Sequence, residues 1–422
     1  MKKILVISHV LPFPGQSGQE QRIRYTLKSL RRLFHVTFLT VSAPDKVVAT
    51  KTQLSILCDE VICLESKFKK NGRTKSMHTG IGALFSLYSS LRMSNYVIGE
   101  VEFTKQRIEQ ALAGRRYDAV LYEYWHAHKS ASFFQEAGVP CVLDMHNVLW
   151  RSYETHQKRL NYLPSGWLTQ RLQKYTAAEE NAWRGFDGII AINREEEKYV
   201  KARVGDDSTV FFAPMGIDLA KFPYLWRPNQ VNPRIAYYGG LAGPHNRQGA
   251  LDCYTDIMPV IWRKFPDAEL WIIGSDPSKN LIDLSLEDRR VKVTGFVEDL
   301  GWVMSNITMV VCPWTGRYGF RSRLIEVMAL GVPLVSTPDA VYGMEFEEGR
   351  DLLLGSTNGE LAENALLLIE NPQMAQEQSQ TARQKVEALY SVIGTYDRLA
   401  SELDFWLNAK QLSGINRAIV NQ

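Results

Sequence analysis

Cysteine is scarce in this chain and follows no pattern. Its five cysteines among 422 residues, at Cys58, Cys63, Cys141, Cys253 and Cys312, are odd in number, scattered and without a Cys-x-x-Cys pair. That excludes a disulfide framework and a zinc cage, and points to a reducing, cytoplasmic setting. Long apolar runs are missing too, since no stretch approaches the ~20 residues a membrane-spanning helix needs. Nor is there an excess of one charge: 49 Lys and Arg stand against 46 Asp and Glu, a formal net charge of +3. No nucleic-acid partner is expected from so small an excess, and any anion site must be local. There is no low-complexity segment, and no Asp-x-Asp to hold a diphosphate-bound metal. The opening residues Lys2 to Ser8 carry only a short apolar run that soon meets His9, Pro12, Pro14 and Gly15, so they read as a first strand and not as a signal peptide.

What is present is a soluble composition, 45% hydrophobic and 23% charged, over a length that at roughly 150 residues per domain implies two or three domains. Short β-branched runs alternate with longer helical patterns, the signature of βαβ units and mostly parallel sheets, so the fold class is α/β. One strand series runs over 4–10, 36–41, 61–64, 118–123, 141–146, 188–192 and 210–213. A second runs over 234–239, 269–273, 291–294, 309–312, 333–337 and 351–354. Between them Pro223, Pro228 and Pro233 disfavour a continuous element, and an interdomain linker is expected in that stretch. This divides the chain into residues 1–222, 223–392 and an amphipathic helical tail, 393–422, that must pack on one of the two. The segment Lys67 to Lys75 is basic and Met77 to Ile98 is apolar. Together they read first as a solvated loop before a core helix, and second as a peripheral contact with a membrane surface.

The most informative stretch is Val311 to Thr337. A strand runs into a loop with Gly316 and Gly319, then Arg321 and Arg323, then Leu324, Val327, Met328 and Gly331 at helical spacing. A glycine-bearing loop that feeds a helix start offers backbone N–H groups to an anion, and two guanidiniums add charge-assisted hydrogen bonds. A diphosphate would be well held there. Glu326, one turn beyond Arg323, can accept the hydroxyls of an attached ribose. The same spacing also suits an Arg323–Glu326 pair on a solvated helix.

The run from Gly319 to Val335 resembles the donor-site motif of GT-B glycosyltransferases, in particular the large retaining family 4. The resemblance extends to Pro214-Met215-Gly216-Ile217-Asp218, Ile273-Gly274 and Val293-Thr294-Gly295-Phe296-Val297, in the family's order. It implies two doubly wound Rossmann-like domains facing each other across a cleft. It also implies a UDP- or GDP-sugar as donor substrate, no cofactor, no metal, and a cell-surface glycan or lipid-linked precursor as acceptor. By position, Arg323 falls on the donor diphosphate and Glu326 on the nucleotide ribose. The family's Glu-x7-Glu is incomplete, since Tyr318 replaces its first glutamate, and the fit is closer to a branch with basic residues at Arg321 and Arg323. In Gly240 to Arg247, Gly240 allows close backbone approach and Arg247 is the candidate for the donor phosphates, or else an ordinary surface arginine.

In the first half, the resemblance places Gly18 of the first loop and the strand end Asp144-Met145-His146-Asn147 near the transferred sugar, with His146 as the catalytic candidate and a structural histidine as the plainer reading. His126 and His128 lack a third metal ligand and are expected on the acceptor side. Arg22 reads as an ordinary first-turn helix residue. A nucleotide-sugar epimerase of the same fold and a catalytically silent sugar-nucleotide-binding protein are the alternative functions.

Overall fold

The structure, a computed structural model, describes all residues other than 16, 68, 71–72, 75–99, 158–163, 207, 229–230, 318–319 and 421–422. The chain forms two compact units: Met1–Pro214 together with Thr395–Gln422, and Met215–Gly394. Gly319, Tyr318 and most of the basic and apolar segments between Lys67 and Ile98 lie outside the described residues.

The first unit is built on a seven-stranded parallel sheet. Its strands are β1 (Lys2–Ile7), β2 (Phe34–Ser42), β3 (Glu60–Glu65), β6 (Ala119–Glu123), β7 (Cys141–Asp144), β8 (Gly188–Ala191) and β9 (Thr209–Phe212). The pairs β4 (Lys69–Lys70) and β5 (Arg73–Thr74) form a separate antiparallel ribbon. The sheet order is β3-β2-β1-β6-β7-β8-β9. The central strands carry unbroken apolar runs, Ile4–Ile7, Ala119–Tyr122 and Cys141–Leu143, because both of their faces are covered. In β1, Ile4 and Val6 enter one core while Leu5 and Ile7 enter the other. In β6, Ala119 and Leu121 divide from Val120 and Tyr122 in the same way.

The strand series expected from the sequence is present, with two informative differences in length. β1 stops at Ile7 and not at Val10, because the Ser8 hydroxyl donates to the Val10 carbonyl at 2.7 Å and accepts from its N–H at 3.0 Å, closing a turn. β7 stops at Asp144 because His146 adopts φ +58°, which no strand tolerates.

In the second unit a parallel sheet of order β12-β11-β10-β13-β14-β15 comprises β10 (Arg234–Tyr238), β11 (Glu269–Ile273), β12 (Val291–Gly295), β13 (Met309–Cys312), β14 (Leu334–Ser336) and β15 (Leu353–Leu354). In each sheet the direction of growth reverses once, between β1 and β6 and between β10 and β13. Beyond the carboxyl ends of the strands flanking such a reversal, the connecting loops part and leave room for a ligand.

The helix Ser322–Ala329 ends earlier than its apolar spacing suggests. Gly331 takes φ +86° and donates to Met328 O at 3.0 Å, while Val332 donates to Val327 O at 3.1 Å. This crossed pair is a glycine helix stop, and Pro333 follows it.

The proline-bearing stretch after Phe222 is no free linker. Trp226 Nε1 donates to Ile307 O at 2.9 Å, Tyr224 Oη meets Ser379 Oγ at 2.8 Å, and Arg227 N donates to Ser305 O at 2.8 Å. It is a strap fastened to the second unit, and the change of unit falls at Pro214. The proline rings remove strand pairing, but the aromatic side chains between them supply the anchoring. The helix Arg398–Val420 buries Leu399, Ala400, Leu403 and Leu407 in the core that holds Ile4, Val6 and Ile23. Trp406 Nε1 donates to Thr209 Oγ1 at 3.0 Å, and Lys2 pairs with Asp404 at 2.5 Å.

Candidate functional site

Two clusters of charged side chains stand at the two reversals, one in each unit. In the second unit the strand ends are drawn together by glycine. A Cβ on Gly274 would lie 1.7 Å from the carbonyl oxygen of Gly239, so these two backbones touch only because position 274 has no side chain. The next residue, Gly240, lies beneath Arg323: a Cβ there would sit 3.4 Å from Arg323 Nη2. The guanidinium of Arg323 also stands 5.1 Å from the centre of the Tyr238 ring. Among the described residues it has no carboxylate or carbonyl partner, and it does not pair with Glu326.

Glu326 faces elsewhere. It is buried on the Ser322–Ala329 helix, where its Oε2 accepts from Tyr238 Oη at 2.8 Å. Burial pushes its carboxyl up, and the Tyr238 hydrogen bond and the Arg323 charge pull it back. Its Oε1 has no hydrogen bond among the described residues and can accept a further donor.

The loops around Arg323 are braced. Arg321, expected at the donor, spends its guanidinium on carbonyls instead: Nη1 donates to Asp339 O at 3.0 Å and Ala340 O at 3.3 Å, and Nη2 to Gly316 O at 2.9 Å. Its guanidinium carbon also lies 4.2 Å from the centre of the Trp314 ring. The reason is positional, because Arg321 precedes the helix and sits inside the turn that β13 and β14 create. Asp339 accepts from Gly316 N at 2.8 Å and from Arg317 Nε at 2.8 Å, completing that brace. Arg247, in the first turn of the helix Pro244–Asp252, donates from Nη1 to Ala242 O at 2.7 Å.

The sequence left Asn246 without a role. Its Nδ2 donates to Gly240 O at 2.8 Å and its Oδ1 accepts from Tyr237 Oη at 3.0 Å, fixing the loop that passes under Arg323. Its sequence signal is its place in the first turn of a Gly-Pro helix start, two residues after Pro244.

In the first unit the charges are buried and paired. Arg22 is 1% exposed and is no ordinary first-turn residue. Its Nε donates to both oxygens of Asp144, at 2.9 and 2.8 Å, and its Nη1 to the carbonyls of Ala213 and Pro214, at 2.9 and 3.3 Å. A signal was available, since Arg22 falls with Ile23, Thr26, Leu27 and Leu30 on the buried face of the helix Gly18–Leu30. Glu123, at the end of β6, meets Nε2 of His146 at 2.5 Å through its Oε2. The His146 ring stacks on Tyr124 with centroids 4.1 Å apart and planes inclined by 11°. Both rings sit on strained backbone, φ +58° at His146 and +71° at Tyr124. Burial, reinforced by the Asp144 charge, pushes the Glu123 carboxyl up against the pull of His146.

Glu123, Asp144 and His146 bring their ligand atoms within 4.8 Å of one another. Both Asp144 oxygens accept from Arg22 Nε. His126, expected on the acceptor side, is 2% exposed, with its ring packed against Tyr124, Trp125 and His9. It is a core histidine, its basicity lowered chiefly by burial. His128 Nδ1 turns to the Trp125 carbonyl at 3.0 Å. Gly18 is the exposed first residue of its helix, whose start is closed by a reciprocal pair: Ser17 accepts from Glu20 N, and the Glu20 carboxylate accepts from Ser17 N.

Residues 17–216 match the family described as "Glycosyl transferase 4-like domain", and residues 232–371 match "Glycosyl transferases group 1". The chain is 27% identical over 158 residues to a phosphatidyl-myo-inositol mannosyltransferase of Propionibacterium freudenreichii, a match covering 36% of this chain and 38% of that protein. It is 20% identical over 374 residues to an uncharacterized 44.6 kDa protein in the cps region of Klebsiella pneumoniae, covering 84% and 88%. Among solved structures, sucrose-phosphate synthase from Thermosynechococcus elongatus is similar with a TM-score of 0.68 at 18% identity, over 97% of this chain and 100% of that one. HepE of Anabaena in complex with UDP is similar with a TM-score of 0.62 at 16% identity, over 96% and 100%. At such identities the structural likeness speaks for the fold.

Proposed function

We propose that this chain, a glycosyltransferase of the two-domain GT-B fold, moves a hexose-type sugar with retention from a nucleoside-diphosphate donor to a hydroxyl of a bacterial cell-surface glycan or its lipid-linked precursor. The observation that carries the reading is Arg323: a half-buried guanidinium over a glycine backbone, beside a helix start, with no carboxylate ion-pair partner among the described residues. Such a group favours a phosphate. Glu326, with one oxygen held by Tyr238 and the other open, suits the ribose. Arg247 and Gly240 complete the donor side, while Arg321 acts through the loop it braces. The similar HepE structures are complexes with UDP and with UDP-glucose, which supports a UDP-sugar as the first donor to try. The mannosyltransferase named for phosphatidyl-myo-inositol and the relative from a cps region support a lipid-linked or surface-glycan acceptor.

In this reading the second unit holds the donor, and the first, with Gly18 and His146, takes the sugar and acceptor side. The bond between the anomeric carbon and the diphosphate oxygen breaks with its electron pair on the leaving group, where Arg323 and the helix start stabilise the charge without a metal. The acceptor oxygen bonds to the same face of the sugar, and its proton passes to the leaving phosphate oxygen. No helix among the described residues is long and apolar enough to cross a membrane. A lipid-linked acceptor would be met at the cytoplasmic face, by peripheral contact.

The test is a donor panel against lipid-linked oligosaccharide acceptors in EDTA, with the product anomer assigned by NMR. Acceptor-dependent release of nucleoside diphosphate and a retained anomer are expected. An absolute need for magnesium or manganese, or an inverted product, would contradict the mechanism.

A further inference from the structure

We propose that Glu123 is a positioning residue for the transfer step: it engages Nε2 of His146 and so commits the ring to act through Nδ1. This rests on the placement of His146 beside the reacting sugar. The two side chains are enclosed, at 5% and 0% exposure, and meet at 2.5 Å. Three further features fix the ring. Tyr124 stacks flat against it. The left-handed backbone at His146 turns the side chain back toward the end of β6, and the His146 N–H lies 3.5 Å from Asp144 Oδ1. Nε2 is thereby taken, whereas Nδ1 makes no hydrogen bond among the described residues.

Glu123 makes no other hydrogen bond among the described residues. Its Oε1 is buried without a hydrogen bond, it caps no helix, and the neighbouring guanidinium of Arg22 is engaged by Asp144 and two carbonyls. A buried carboxylate is costly unless it is paired; the Arg22 charge acts on Glu123 from beside Asp144, and the one hydrogen bond of Glu123 among the described residues goes to the imidazole. When the carboxylate accepts from Nε2–H of a neutral ring, the lone pair is on Nδ1; when the ring is protonated, Nδ1–H donates. The working atom is the same in both states. The groups facing the pair are Arg22 from the first helix, Asp144 from β7, His9 from the end of β1, and Tyr124 beneath the ring.

The experiment compares kcat, donor KM, pH profile and melting temperature for Glu123→Gln, His146→Ala and their double variant. Glu123→Gln is expected to lower kcat at least tenfold with donor KM within twofold. The pH profile of kcat should be displaced from that of wild type, because the amide that replaces the Glu123 carboxyl does not ionise. The double variant should be no slower than His146→Ala alone. Wild-type kcat with an unshifted profile, or additive losses in the double variant, would overturn the proposal. Wild-type turnover in His146→Ala would instead remove the placement of His146 on which it rests. A second pair of variants does not depend on the folding of Glu123→Gln. The amide of asparagine reaches the Nδ1 position and that of glutamine the Nε2 position, so His146→Asn should retain at least several-fold more turnover than His146→Gln. The reverse order would overturn the assignment of Nδ1.

Discussion

The charge clusters of the two units occupy corresponding places, at the carboxyl ends of strands flanking a sheet reversal, and they are built in opposite ways. In the first unit Arg22, Asp144, Glu123 and His146 are buried and answer one another. In the second, Arg323 is half-buried and makes no hydrogen bond or ion pair among the described residues, while its neighbours Arg321, Asp339 and Asn246 are consumed in holding the loops. Even the helix starts differ, since Ser17 and Glu20 close the one before Gly18, whereas no side chain caps the one before Arg323. A charge paired within the protein acts as scaffold or aims another group. A charge left without a partner is available to a ligand.

The strongest way to break this comparison is Arg22→Ala. It leaves Asp144 and Glu123 buried without their counter-ion and should cost about 3–5 kcal/mol of stability by denaturant unfolding. A loss below ~1 kcal/mol would mean that the first cluster is not closed.

A somewhat smaller effect is expected from pH. Burial, and then the His146 charge, lower His9 to about 4, against about 6.5 in an unfolded chain. The unfolded state therefore binds more protons between these values, so the stability tied to His9 is intact above about 6.5 and falls as pH drops toward 4. His9→Gln should flatten that fall by up to about 3 kcal/mol. Parallel acid-limb unfolding curves for the two proteins would contradict it. In the second unit, Glu326→Ala should weaken nucleoside diphosphate by about 1–3 kcal/mol while leaving inorganic diphosphate nearly unchanged. Equal losses for both ligands would take the ribose away from Glu326.

Much of the fold was legible because strands buried on both faces leave unbroken apolar runs, as in Leu5 to Ile7 and Val310 to Cys312. The ends were less legible because single residues set them: a serine turn at Ser8, a left-handed histidine at His146, a glycine stop at Gly331. The strap after Phe222 was misread because prolines announce the absence of pairing and say nothing of where Trp226 docks. At the site, Arg323 and Glu326 stood out through motif spacing. The partners of Arg22 and Arg321 lie 122 and 18 residues away along the chain, a proximity that only folding creates.

The most direct measurement is calorimetric titration of UDP and GDP, in EDTA, into the wild-type chain and Arg323→Ala, with unfolding curves for both. The expected result is metal-independent binding by wild type that weakens by about 2–5 kcal/mol in the variant, with stability changed by no more than about 0.5 kcal/mol. Unchanged nucleotide affinity in Arg323→Ala, or a variant that binds normally but unfolds easily, would contradict the assignment of the unpaired guanidinium to the donor diphosphate.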